Sequence, residues 1–135
     1  MSTLANVMSS DPVSISSAAP LREAAQLMKA HDIGMLPVVD NGRLIGVVTD
    51  RDIVVRGLAT GDGVTISDVL TRDVVVAAPG DDPADIVKKM SSADVRRVPV
   101  CDGEKLVGVV SVGDLAVKAE PALAGAVMES TGPTK

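Results

Sequence analysis

Two short stretches decide how this chain folds: Gly46-Val47-Val48-Thr49-Asp50-Arg51-Asp52 and Gly108-Val109-Val110-Ser111-Val112-Gly113-Asp114. In each, a run of small and β-branched residues, typical of a buried strand, leads into a hydroxyl residue and, three positions later, an aspartate. A helix that starts there presents free backbone N–H groups, which favour negative charge. The pattern fits two alternatives. One is a site for a ribose-phosphate, and the other is a capping box that satisfies the helix's own N–H groups.

The two stretches belong to an internal repeat. Residues 33–40 align with residues 95–102 at an offset of 62 positions, which also carries Gly46 to Gly108 and Asp52 to Asp114 without a gap. Self-similarity at this period means that one supersecondary unit is used twice, and a unit of about 50 residues is small for an independent domain. We therefore expect two units, at 1–62 and 63–121, that bury a shared face, followed by a tail at 122–135.

Each unit is predicted to run strand, helix, strand, strand, helix, which makes the chain an α/β protein. The Asn41-Gly42 step favours a tight hairpin turn, and Asp82 followed by Pro83 is typical of a helix start. The expected strands lie at 12–16, 35–39, 44–48, 74–77, 98–101 and 106–110. The expected helices lie at 20–31, 50–59, from 82 onward and at 113–120, with a linker at 57–63 and a short apolar turn or helix at 122–128.

Composition narrows the classes of function. The 135 residues include no Phe, Tyr or Trp and carry a formal net charge of −5, so we expect no nucleic-acid binding, and any bound base must stack on aliphatic groups. The absence of an 18-residue apolar run and of a signal-peptide pattern predicts a soluble, cytoplasmic protein with no membrane contact. Cys101 and His31 are single residues of their types, too few for a zinc site, so we expect no metal and a buried Cys101.

The repeated unit resembles the CBS-domain pair, also called the Bateman module. The residues that carry the resemblance are a hydrophobic-Pro-Val strand and the following Gly-x-x-Thr/Ser-x-x-Asp, and the likeness extends over about residues 7–120. The chain is most similar to stand-alone CBS-pair proteins of the hypoxic-response type. The resemblance implies two tandem units packed through their sheets with pseudo-two-fold symmetry, and two clefts in which many members bind AMP, ADP, ATP or S-adenosylmethionine.

The resemblance also implies roles for polar residues. It places the ribose-binding carboxylates at Asp52 and Asp114 and the hydroxyls at Thr49 and Ser111. Arg51 would add positive charge to the first cleft, or would pair with a surface carboxylate.

The second unit carries two further basic residues where the first has Gly34 and Met35. By the same resemblance, Arg96 and Arg97 occupy positions of phosphate-binding side chains. The alternative is a solvated pair on a strand edge or an ion pair with Asp94. Since charge-assisted contacts are strong, we expect the second cleft to bind more tightly than the first.

Adenine would lie among apolar residues, each of which ordinary core packing also explains. The candidates for this contact are Val13, Ile33, Gly34, Val75 and Val95.

The sequence contains no catalytic arrangement of Ser, His and Asp or of Cys and His, so we expect no enzyme and no required cofactor. The leading hypothesis is a regulatory protein that binds an adenosine ligand and signals to an unidentified protein partner. The alternative is a dimerising interaction module with vestigial clefts.

The helix after the first motif has more apolar residues than one buried stripe needs, namely Ile53, Val54, Val55 and Leu58. We therefore predict a homodimer through the helices that follow the motifs. If Asp114 binds the ligand, we expect backbone carbonyls to crowd its carboxylate in the unliganded protein. Replacing Asp114 by alanine would then leave the thermal stability unchanged or raise it.

Overall fold

The computed structural model describes residues 3–61 and 63–118, apart from the side chains of Val117 and Lys118. Its elements are α1 (Leu4–Val7), β1 (Ser9–Ser10), α2 (Leu21–His31), β2 (Met35–Asp40), β3 (Arg43–Thr49), a π-helix called π1 (Asp52–Leu58), α3 (Ile66–Val69), α4 (Pro83–Ala93), β4 (Arg97–Asp102), β5 (Lys105–Ser111) and α5 (Val112–Lys118). This mixture of helices and antiparallel strands confirms the α/β class. The predicted tail, and the end of the last predicted helix, lie outside the described residues.

Two antiparallel hairpins repeat each other. β2 pairs with β3, with Met35 opposite Thr49, and β4 pairs with β5, with Arg97 opposite Ser111. A register irregularity falls at the same repeat position in both hairpins. The predicted turn at Asn41-Gly42 is present, and both residues have the positive φ angles, 53° and 80°, that such a turn requires.

The chain divides into two compact units that cut across the repeat boundary at residue 62. The first-repeat unit is Val13–Val74, and the second-repeat unit combines residues 3–12 with residues 75–118. Each has its own aliphatic core. The core of the first-repeat unit includes Ile66 and Val69 of α3, and that of the second-repeat unit includes Leu4 and Val7 of α1. The short apolar helix that precedes each repeat therefore packs in the core of the other.

The glycine that opens each motif lets a crossing segment approach the strand. Thr71 forms two backbone hydrogen bonds with Val47 of β3, at 2.8 and 2.9 Å, and a Cβ on Gly46 would lie 2.3 Å from the Thr71 carbonyl oxygen. β1 crosses β5 in the same way, where a Cβ on Gly108 would lie 2.9 Å from the Ser9 carbonyl oxygen. A side chain at either glycine would push the crossing segment away.

Several predicted elements differ in detail. Segments 12–16 and 74–77 form single parallel bridges, Ile15 with Val38 and Ala77 with Val100, rather than strands. Pro20 precedes α2 instead of being its first residue. The start of α4 is as predicted, because the Asp82 carboxylate accepts a hydrogen bond from the backbone N–H of the second helical residue at 3.0 Å.

The helix after the first motif lies where the sequence predicts it. Within it, residues 52–58 wind as a π-helix, a form usually confined to short stretches. Gly57 is buried within π1, not in a linker as predicted. Its Cβ would lie 2.2 Å from Leu21 Cδ1, so a side chain there would require Leu21 to move where π1 meets α2.

Candidate ligand-binding site

In the first-repeat unit, the motif residues bond each other's backbone. Thr49 N–H donates to Asp52 Oδ2 at 3.0 Å, and Asp52 N–H donates to Thr49 Oγ1 at 3.1 Å. Since helical structure begins at residue 50, this reciprocal pair is a capping box. The capping interpretation is thus confirmed for this copy.

The second-repeat unit has the same arrangement. Ser111 N–H donates to Asp114 Oδ2 at 3.2 Å, and Asp114 N–H donates to Ser111 Oγ at 3.0 Å. The expected crowding by carbonyls is not met at this oxygen, because it accepts an N–H group. Removing the carboxylate would therefore cost the helix a cap.

A capping hydrogen bond occupies only part of a carboxylate, which has two oxygens and about four acceptor positions. Asp52 Oδ2 also accepts from Thr71 Oγ1 at 3.5 Å, whereas its Oδ1 lies 3.9 Å from Arg56 Nε. The Asp52 side chain is 13% exposed, so it remains accessible at one edge. Capping and binding are therefore compatible at this residue.

Sequence reasoning missed two of these neighbours. Arg56 lies four residues after Asp52, a spacing that brings side chains together on a helix and was available as a signal. Thr71 aligns with Ser9 at the repeat offset, and a hydroxyl preserved at both positions was a second signal.

The end of the β4–β5 hairpin gathers the polar residues predicted for the second cleft. Arg97 lies opposite Ser111 in the strand register, and Val112 N–H donates to the Arg96 carbonyl at 2.9 Å. Both arginine side chains are exposed, whereas Ser111 and Asp114 are half-buried. We call Arg96 and Arg97 the hairpin-end arginines. They give this end of the unit a cationic edge beside one carboxylate.

The matching end of the β2–β3 hairpin lacks the two arginines, because Gly34 and Met35 stand in their positions. Asp50 N–H donates to the Gly34 carbonyl at 3.0 Å, and a Cβ on Gly34 would come within 3.1 Å of Asp50 Oδ2. The exposed Arg51 follows, with its backbone N–H bonded to Asp50 Oδ1 at 2.8 Å. Two carboxylates and one arginine, Asp50, Asp52 and Arg51, thus stand where the second-repeat unit has two arginines and one carboxylate.

The apolar candidates fall into two groups. Val13 and Ile33 are half-buried and pack against the core of the first-repeat unit, and Val75 does the same in the second-repeat unit. Val95 differs, because 38% of it is exposed, so core packing does not explain it. An exposed valine next to the hairpin-end arginines is suited to contact a bound molecule.

Metal binding finds no support within the described residues, where no group of three or more His, Cys, Asp and Glu side chains is placed to hold an ion. Cys101 is buried as predicted, and burial raises the pKa of its thiol. A buried neutral thiol behaves as a small apolar side chain.

Comparison with known protein families supports the same arrangement. The model of the CBS domain matches the chain twice, at residues 4–58 and 66–119. The chain belongs to the CBS-domain family. Its curated relatives include the CBS domain-containing protein YhcV of Bacillus subtilis, 40% identical over 119 residues, which are 87% of this chain and 85% of YhcV. Hypoxic response protein 1 of Mycobacterium tuberculosis is 37% identical over 120 residues, 86% of this chain and 84% of that protein.

Solved structures extend the likeness to three dimensions. The crystal structure of Hypoxic Response Protein I, which holds two coordinated zinc ions, has a TM-score of 0.77 and 35% identity, over 86% of this chain and 98% of that one. The CBS domain pair of protein MJ0100, in complex with 5′-methylthioadenosine and S-adenosyl-L-methionine, has a TM-score of 0.78 and 30% identity, over 93% and 98%. These relatives confirm the fold as a pair of CBS domains. Within the described part of the chain, no helix is both long enough and apolar enough to span a membrane.

Proposed function

We propose that this CBS-domain pair is a non-catalytic, cytoplasmic regulatory module that binds an adenosine ligand at the hydroxyl–carboxylate pair of each repeat. The observation that carries the proposal is the pair itself. In both repeats the aspartate lies in the first turn of a helix, and one of its carboxylate oxygens accepts a hydrogen bond from a backbone N–H. This hydrogen bond orients the second oxygen of the same carboxylate. Two oxygens on one ionised group can accept from both hydroxyls of a ribose.

The complex of the MJ0100 domain pair with two adenosine compounds supports this ligand class, because that pair is 30% identical to this chain and covers most of it. The absence of aromatic residues is compatible with adenine, provided that the base lies against aliphatic side chains. The half-buried Val13, Ile33 and Val75, together with the exposed Val95, are the proposed contacts.

The two repeats differ in the charged residues that lie near their hydroxyl–carboxylate pairs. The hairpin-end arginines favour a phosphorylated ligand beside Asp114, since guanidinium groups bind phosphate in a planar, bidentate manner. At the first repeat, Asp50 and Asp52 offset the charge of Arg51, so a phosphate is less favoured there than at the second repeat. We therefore propose AMP or ATP at the second repeat, and tighter binding there than at the first.

Isothermal titration calorimetry of the purified protein with adenosine, AMP, ATP and S-adenosylmethionine tests the proposal. We expect saturable binding, with affinity rising from adenosine to AMP or ATP. If adenosine binds as tightly as its phosphates, the arginines do not contact phosphate. If no compound binds, the adenosine function fails.

A ligand changes the conformation of a protein only when its affinity differs between two states. If the module has no catalytic activity of its own, as we propose, regulation requires a second protein that distinguishes the bound from the free form. The proposed role therefore includes such a partner.

A second proposed role is dimerisation, which one exposed surface favours. Val54, Val55 and Leu58 on π1 are 56%, 55% and 67% exposed, whereas Ile53 on the same helix is buried. Exposed apolar side chains that cluster on one helix are typical of a protein interface. We propose that a second copy of the chain covers them.

Charged residues at this surface should separate the copies. The double variant Val54→Asp and Leu58→Asp is expected to sediment as a monomer, because each change would bury a carboxylate in an apolar interface. Analytical ultracentrifugation at tens of micromolar, a concentration at which a dimer with about micromolar affinity is populated, measures this. A monomeric unaltered protein would refute the dimer.

A further inference from the structure

The second-repeat unit has a groove apart from its hydroxyl–carboxylate pair. A shallow groove that is open to solvent, with a volume of about 540 Å³, lies between residues 75–76 and the C-terminal half of α4, and its lining consists of Val75, Val76, Lys88, Lys89, Ser92 and Ala93. Its volume falls within the roughly 300–1,000 Å³ that is usual for small-molecule sites. Val76 is 39% exposed, so part of the apolar floor is open to solvent.

The internal repeat shows what is unusual about this groove. The residue equivalent to Lys89 in the first repeat is Leu27, which is half-buried and packs with Val13 against the core. In the second repeat, an exposed lysine replaces that leucine, and Val76 replaces a serine on the facing segment. The first repeat covers this region with the aliphatic side chain of Leu27. The second repeat instead has valines and two lysines in the same groove.

The charge of the groove is opposite to that of the whole chain. The formal net charge is −5, yet Lys88 and Lys89 are the only charged residues in the lining. Within the part of the chain that the structure describes, neither lysine forms a salt bridge with a carboxylate. Their ammonium groups are thus available to an external anion, while the valine floor is available to an apolar body.

We propose that this groove is a binding site for a small amphiphilic anion, with an aliphatic or aryl body that covers Val75 and Val76 and one acidic group that contacts Lys88 and Lys89. The mixture of an apolar floor and two cations at one edge is complementary to such a molecule. The site shares Val75 with the proposed adenine contacts, but its charge recognition depends on Lys88 and Lys89 and it does not use the hydroxyl–carboxylate pair, so it does not rest on the adenosine function.

Decanoate, kept below its micellar concentration, is the probe, and calorimetry on the full chain is the assay. We expect saturable binding, at least tenfold weaker binding of the uncharged analogue decanol, and at least a tenfold loss in the double variant Lys88→Gln and Lys89→Gln. Lys105→Gln, at an exposed lysine of β5 in the same unit, is the matched control and should bind as the unaltered protein does. Equal binding of decanol, or no effect of the double variant, would overturn the proposal.

A second variant tests the cavity itself. Lys89→Leu installs the residue that the first repeat has at this position, and we expect it to abolish decanoate binding while thermal melting stays unchanged or rises. Undiminished binding by this variant would overturn the site.

Two further outcomes assign the groove to a different ligand and also overturn the proposal. The first is loss of AMP binding in the double variant Lys88→Gln and Lys89→Gln, which would make the lysine edge of the groove part of the nucleotide site. The second is lysine-dependent sedimentation with phosphatidylglycerol vesicles in the absence of decanoate binding, which would make it a membrane contact. We expect neither.

Discussion

Replacing Asp114 by alanine is expected to weaken adenosine binding far more than it weakens the fold. The change removes the oxygen that accepts from Ser111 N–H at 3.2 Å and the second oxygen proposed to hold the ribose. Loss of a helix cap costs about 1 kcal/mol of unfolding free energy. For a domain of this size, that lowers the melting temperature by about 4 °C.

The expected loss in binding is larger. Hydrogen bonds to a charged group contribute about 1.5–3 kcal/mol, so losing the ribose carboxylate should cost at least ~2 kcal/mol of affinity, or about 30-fold in Kd. Asp52→Ala should have a weaker effect, because Arg56 Nε lies 3.9 Å from the oxygen that the ribose would use.

The chain supplies a matched control for the loss of a cap. Thr65 and Asp68 form a capping box at the start of α3, with Thr65 N–H donating to Asp68 Oδ2 at 2.8 Å, and Asp68 belongs to neither proposed site. Asp68→Ala should lower stability by a similar ~1 kcal/mol and leave affinity unchanged. Calorimetry with AMP and a thermal melt on each variant measure both quantities. If Asp114→Ala loses stability but keeps its AMP affinity, as Asp68→Ala should, then Asp114 is only a cap.

The hairpin-end arginines, Gly46 and Asp40 each allow a further test. Replacing both hairpin-end arginines by glutamine should weaken AMP binding by at least tenfold and leave adenosine binding unchanged, as competition calorimetry would show. Gly46→Ala should lower the unfolding free energy by about 1–3 kcal/mol in urea, because its Cβ would collide with backbone, whereas Gly80→Ala, with open space around it, should change little. Hydrogen bonds from Ser17 hold the pKa of Asp40 below its ordinary 3.8. Since the folded pKa is the lower one, this stabilisation is complete above about pH 4 and is lost as pH falls through the folded pKa, which carboxyl NMR shifts would follow.

The hairpins and the first helix of each repeat could be predicted because local chemistry determines them. Asn41-Gly42 specifies the turn through positive φ angles, and Asp82 with Pro83 specifies the start of α4. The repeat then fixes the second copy from the first, which is why β4 and β5 match β2 and β3 in register.

The spatial units could not be read from the repeat. The offset of 62 positions relates α1 to α3, but it does not say which core each helix joins, because that depends on contacts distant in sequence. The role of Gly46 was hidden for the same reason, since the Thr71 segment that crosses it lies 25 residues away. No pattern in the sequence indicates that residues 52–58 form a π-helix. The sequence also does not distinguish a Gly57 buried in this helix from a Gly57 in a linker.

The candidate site was predicted in composition but not in contacts. The hydroxyl–carboxylate pairs form in both repeats, and the sequence could offer capping and binding only as alternatives. The structure shows the cap and leaves Asp52 accessible at one edge, so capping and the proposed ligand binding are compatible in one carboxylate. Arg56 and Thr71 were missed because their importance arises from proximity to Asp52 rather than from the motif.

An NMR titration of the amide signals with AMP tests adenosine binding at the two capping boxes most directly. We expect saturable shifts of the Ser111 and Asp114 amides at lower AMP concentrations than those that shift the Thr49 and Asp52 amides, because all four N–H groups belong to the two capping boxes. Saturable binding of AMP that leaves these four amides unshifted, or no binding at all, would show that the hydroxyl–carboxylate pairs do not hold the ligand.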